Sequence, residues 1–133
     1  MKGALFFAAD LMRTISIPCT FSYMQAKSYT GTTQTDVEIT QMEETDFTGK
    51  SIIILDDVFD TGKTLHSACE LLKKQGPLSI ETMVLIDKQK NQHRDFTVDY
   101  VLNTVEDHFL IGYGLDMHEY ERNLPEIRIY EDS

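Results

Sequence analysis

The stretch Ile52-Ile53-Ile54-Leu55-Asp56-Asp57-Val58-Phe59-Asp60-Thr61-Gly62-Lys63-Thr64 decides the fold. Its apolar opening, Ile52–Leu55, has no polar alternation and predicts a strand buried on both faces, as in a parallel sheet. Two adjacent carboxylates follow, and a third, Asp60, opens a Thr-Gly-Lys-Thr turn. Beyond the turn, Leu65, Ala68, Cys69, Leu71 and Leu72 recur at helical spacing, and the pattern stops near Gly76-Pro77. The order is strand, acidic edge, small turn, helix. It suits a sugar phosphate: carboxylates for hydroxyls or Mg²⁺, and backbone N–H groups at a helix start for the phosphate.

Gly62-Lys63-Thr64 invites comparison with a nucleotide-binding P-loop. That pattern requires a second glycine five residues before the glycine of Gly-Lys-Thr. Position 57 is Asp, which would aim negative charge into a nest built for phosphate. The P-loop reading is therefore rejected.

Outward from the turn, the chain alternates strand and helix patterns. The expected elements are helix 4–13, strand 20–26, loop 27–33, strand 35–40, strand 51–56, helix 65–75, strand 82–86, strand 100–103 and a short strand 127–130. Such alternation implies an α/β fold with a mainly parallel sheet. At 133 residues the chain is read as a single domain, 1–133, without repeats or low-complexity tracts. Thr30-Gly31-Thr32-Thr33 has the small, polar composition of a mobile lid, and equally of a plain hairpin loop. Cys19 and Cys69 both sit in apolar patterns and read as buried free thiols of a reducing cytoplasm.

Charge excludes other classes. The net charge is −10, and only 12 Lys and Arg are spread along the chain, so a nucleic-acid partner is not expected. No apolar run approaches the roughly 20 residues of a membrane span, so no membrane partner is expected either. His66, His93 and His118 lack metal-ligand spacing and read as surface residues.

The stretch at 52–64 resembles the phosphoribosyl-pyrophosphate (PRPP) signature of the type I phosphoribosyltransferases, which has four apolar residues, two acids and an Asp-Thr-Gly-x-Thr turn. Further segments resemble the hypoxanthine-guanine branch of that family. They are Met1-Lys2-Gly3-Ala4, Ser28-Tyr29, Asp87-Lys88, Phe109-Leu110-Ile111-Gly112-Tyr113-Gly114-Leu115-Asp116 and Arg122-Asn123-Leu124-Pro125. They occur in the family's order, from residue 1 to about residue 130. Two positions depart from it: Asp56 stands where Glu is usual, and His108 where Lys is frequent. The polar segment 89–95 matches no pattern.

The resemblance implies a three-layer phosphoribosyltransferase fold with a small flap hairpin. It implies purine salvage: PRPP and hypoxanthine or guanine give IMP or GMP plus pyrophosphate, with Mg²⁺, in a cytoplasmic homodimer or homotetramer. The alternative is a truncated or weakly active nucleotide-binding protein of the same fold.

The residue roles come from the same source. Asp60 would be the catalytic base or acceptor at the purine imidazole edge, although an Asp there also suits a helix N-cap. Asp56 and Asp57 would hold the ribose hydroxyls and Mg²⁺, with Asp116 serving a second Mg²⁺. Thr61, Gly62, Lys63 and Thr64 would wrap the 5′-phosphate, chiefly through backbone N–H. Lys2, Gly3 and Arg122 would contact pyrophosphate. Lys88 would donate to the exocyclic oxygen of a 6-oxopurine, since an ammonium has no acceptor for a 6-amino group. Phe109 would stack on the base and Leu110 would read its edge. Ser28 and Tyr29 would belong to the flexible loop. In the resembled family a strand precedes the Lys-Gly turn. Here the chain starts at that turn and the strand, an interior one in the family's sheet, is absent, so a truncated version of a longer enzyme is expected, with two rows of unpaired backbone groups unless a segment of another chain pairs there.

Overall fold

The computed structural model describes residues 2–30, 35–42, 44–89, 94 and 96–131, with backbone alone at 28–30, 35–38 and 40–42. In chain order these residues form α1 (Leu5–Thr14), β1 (Met24–Thr30), β2 (Thr35–Met42), β3 (Ser51–Phe59), α2 (Lys63–Lys73), β4 (Ser79–Gln89), β5 (Tyr100–Glu106), β6 (Leu110–Ile111) and β7 (Arg128–Ile129).

β3, β4 and β5 form a parallel sheet in that order, with Ile54 opposite Thr82 and Phe59 opposite Asp87. β4 continues the register into β5, Lys88 facing Val105. β1 and β2 are an antiparallel hairpin with a bulge at Gln25/Ala26, and β6 pairs antiparallel with β7.

The sheet separates two cores. On one face Leu65, Ala68, Cys69 and Leu72 of α2 pack against Ile54, Phe59 and Val84, with Met24 and Ile39 of the hairpin alongside. On the other, Phe7 of α1 packs with Leu85, Ile86, Leu110 and Leu115. This is the expected three-layer arrangement. A buried polar joint secures the start of β4: Thr82, 2% exposed, gives its N–H and hydroxyl to Asp99 Oδ2 at 2.7 and 2.8 Å.

Several expectations need correction. The strand foreseen at 20–26 runs 24–30, so Ser28 and Tyr29 are strand residues opposite Val37 and Asp36. Of the lid stretch, residues 31–33 lie outside the described residues, as does His93. β3 extends to Phe59, because β4 supplies partners to that point. It is not buried on both faces: Ile53 is 47% exposed, since among the described residues β3 pairs with β4 alone. Cys69 is buried as expected, while Cys19 is exposed, in a segment without helix or strand.

Candidate active site

Parallel strands deliver their loops to one edge, and ligands of such sheets bind beyond the carboxyl ends of the strands. β3, β4 and β5 bring Asp56–Asp60, Asp87–Lys88 and the segment from Asp107 to that edge.

At the end of β3 the chain turns through Asp60–Gly62 into α2. The N-cap of α2 is Gly62, at φ +81°, rather than Asp60. Only glycine takes that left-handed conformation without a Cβ penalty. A Cβ there would also meet Phe59 Cε2 at 2.8 Å and Phe96 Cβ at 3.0 Å. Having no side chain, Gly62 cannot cap the helix. The positive end of the α2 dipole is thus turned toward the Thr61–Thr64 segment, where an anion is favoured. The Lys63 side chain is exposed.

Asp56 and Asp57 diverge, as adjacent strand residues must. Asp56 is buried beside Met24, Ala26, Ile39 and Thr64. Burial, followed by the hydrogen bond and charge of Asp57, raises its pKa well above the ordinary carboxylate range. Asp57 is half-buried and faces the opposite layer, against the Lys2-Gly3 turn. A Cβ on Gly3 would lie 1.6 Å from Asp57 Oδ2, and one on Gly114 2.1 Å from the Gly3 carbonyl oxygen. The Gly3 backbone is therefore pressed between Asp57 and the 112–122 segment.

That segment is dense in left-handed backbone: Gly112, Tyr113, Gly114, His118, Glu119 and Glu121 all have positive φ. Non-glycine residues in that region are held by their surroundings and gather at binding sites. Here Tyr113 gives its hydroxyl to Asp10 of α1 at 2.7 Å, and Asp116 accepts the Glu119 N–H at 2.8 Å. Arg122 bonds the Gly114 carbonyl at 2.7 Å and Asp116 at 2.8 Å, with Glu119 at 3.4 Å. Lys2 meets Glu119 at 2.9 Å. Lys2, Arg122 and Asp116, chosen separately from sequence, thus form one network through Glu119. No motif marked Glu119.

At the other side, Lys88 is largely buried and lies 3.8 Å from Asp107. Phe109 is half exposed, its ring edge-on to Tyr130 at 5.9 Å, and Leu110 behind it is buried. Phe59 and Asp87 are register partners, so Asp60 and Lys88 leave neighbouring strands at the same level.

Among the described residues no three acids, histidines or cysteines converge into a metal site. Mg²⁺ rarely needs one; it commonly binds through one or two carboxylates and a substrate's phosphates. The half-buried Asp57 and the partly exposed Asp116 supply the hard oxygen donors that this ion prefers.

The segment that escaped every sequence pattern contains a functional neighbour. Arg94 pairs with Asp87 and lies over the Phe59 ring, 4.7 Å from its centroid.

Carboxylates at the end of β3, a glycine at the start of α2 and an ion-pair network of Lys2, Glu119, Arg122 and Asp116 are groups suited to a phosphorylated sugar. Residues 1–118 match the phosphoribosyl transferase domain family, and the chain belongs to that family. It is 38% identical to the hypoxanthine-guanine phosphoribosyltransferase of Aquifex aeolicus, over 99% of this chain and 75% of that protein. A crystal structure of a hypoxanthine-guanine phosphoribosyltransferase from Bacillus anthracis superposes with a TM-score of 0.91 at 34% identity, covering 98% of this chain and 78% of that one. The hypoxanthine phosphoribosyltransferase of Trypanosoma cruzi, solved with its product IMP, superposes with a TM-score of 0.87 at 30% identity, over 98% and 71%.

Proposed function

We propose that this protein is a purine-salvage enzyme that transfers the 5-phosphoribosyl group of PRPP to hypoxanthine or guanine, releasing pyrophosphate and forming IMP or GMP. One observation carries the reading. The PRPP turn after β3 and the largely buried Lys88 near the end of β4 sit side by side, one fit for a sugar phosphate and the other for a 6-oxo group.

In this reading the α2 start and the Thr61–Thr64 backbone hold the 5′-phosphate. Asp57, with Asp56 beside it, takes the ribose hydroxyls. Asp56 and Asp57 would hold the Mg²⁺ carried in with PRPP and Asp116 a second one, and such ions would supply charge neutralisation at the leaving group. Asp60 accepts the imidazole proton of the purine. Lys88 donates to the 6-oxo atom, Phe109 stacks on the ring and Leu110 backbone groups read its edge. Arg122, Lys2 and Gly3 receive pyrophosphate. The Lys2–Glu119 pair is solvent-exposed and therefore weak, so a pyrophosphate oxygen can replace Glu119 at little cost. The whole chain serves as one catalytic domain. No helix among the described residues is long and apolar enough to cross a membrane. A cytoplasmic homo-oligomer fits this role.

The test is turnover of PRPP and Mg²⁺ with hypoxanthine, guanine, xanthine and adenine in separate reactions. Monophosphate is expected from hypoxanthine or guanine and not from adenine. Turnover of adenine alone, or of none of the four, would overturn the assignment.

A further inference from the structure

We propose that Arg94 is a positioning residue that locks the phosphate turn to the strand carrying the purine lysine. The inference rests on the transferase reading above and adds a residue to that site. Arg94 lies in the polar segment between β4 and β5. Its guanidinium nevertheless turns inward, leaving the side chain 16% exposed. One face lies over the buried Phe59 ring, 4.7 Å from the centroid, and Nη1 bonds Asp87. Phe59 immediately precedes Asp60. Its ring packs against Phe96, and these two side chains are what a Cβ at Gly62 would strike. Phe59 is therefore the floor of the turn. Asp87 immediately precedes Lys88 and is the register partner of Phe59.

A single guanidinium thus ties the floor of the sugar-phosphate turn to the residue before the base-reading lysine. The two halves of the substrate pair must meet at a fixed separation, and errors of about 1 Å at such a site can cost roughly a hundredfold in rate. Arginine suits the task because its plane stacks on an aromatic ring while its fork bonds a carboxylate; lysine offers a point charge only.

The experiment compares wild type, Arg94→Ala and Arg94→Lys by steady-state kinetics, thermal melting and amide hydrogen exchange. Arg94→Ala is expected to raise the KM for PRPP and for the base about tenfold each. Amide exchange at His66, whose N–H closes the turn on the Gly62 carbonyl at 2.9 Å, should accelerate, while the later turns of α2 stay protected. Added guanidinium at millimolar concentration should restore part of the lost kcat/KM, and Arg94→Lys should recover less than half. Wild-type KM values and wild-type exchange at the turn in folded Arg94→Ala would overturn the proposal. Should Arg94→Ala fail to fold, Arg94→Lys decides: a wild-type KM for PRPP together with an unchanged turn overturns it. Failure of the wild type with every base would overturn the transferase reading instead. Exchange at His66, which needs no substrate, would still decide whether Arg94 holds the turn.

Discussion

Replacing Gly3 with alanine should damage substrate binding far more than folding. Gly3 has an ordinary backbone conformation, since its φ is not among the left-handed ones. Alanine is therefore allowed there, and the obstacle is Asp57. The new Cβ falls 1.6 Å from Asp57 Oδ2 and 2.7 Å from Cγ, while Asp57 Cβ stays clear at 3.6 Å. Only the carboxylate has to move. Turning it off its rotamer costs about 0.5–1.5 kcal/mol. The bond that Asp57 Oδ1 accepts from the Val58 N–H at 3.0 Å is worth about 0.5–1.5 kcal/mol more. The sum, about 1–3 kcal/mol, leaves a folded protein with a Tm lowered by several degrees. In the proposed function Asp57 meets the ribose, and the displaced carboxylate would lose that contact. A hydrogen bond to a charged group contributes roughly 1.5–3 kcal/mol, so kcat/KM for PRPP should fall about 10- to 150-fold. Steady-state kinetics at varied PRPP, with urea unfolding alongside, measures both effects. The reasoning also requires that Gly3→Ala add little once Asp57→Asn is present, because both act on one carboxylate. A folded Gly3→Ala protein with the wild-type KM for PRPP refutes the argument, as does full additivity of the two changes.

Two further outcomes are expected. Asp56 has a raised pKa in the folded protein, chiefly from burial, so the native state holds that proton more tightly than the unfolded chain. Its stabilising contribution is complete below the unfolded value, about 3.9, and is lost as pH rises through the folded one. Asp56→Asn escapes that loss, so its stability advantage in urea unfolding should widen from pH 4 to pH 8; a pH-independent offset would contradict the burial argument. Thr82→Val should cost about 1–3 kcal/mol in the same assay, because Asp99 loses the hydroxyl donor to its carboxylate and the acceptor for its own N–H, at 2.8 and 3.1 Å. Preference among purines should not change, since Thr82 lies at the end of β4 away from Lys88, and altered selectivity would show that the joint reaches the site.

What could be read in the sequence was whatever one segment determines by itself. The step from β3 to α2 was legible because its strand, turn and helix are each written in consecutive residues. The limits of β1 were not, since a hairpin strand ends where its partner does, and Met42 pairing with Met24 places that limit. β6 has two residues and exists only because β7 meets it. The site divides along the same line. Its acids, Lys88 and Arg122 stood in recognisable patterns, whereas what aligns them is long-range contact between residues without patterns. Gly3 reads as a turn glycine, yet its requirement comes from Asp57 and from Gly114. No motif marks Glu119, yet it joins Lys2 to Arg122 across the fold. Arg94 lies in the one segment that matched nothing, because the ring and carboxylate that fix it belong to β3 and β4. A motif therefore names the groups that meet a substrate, while their spacing is set by residues whose partners only the folded chain supplies.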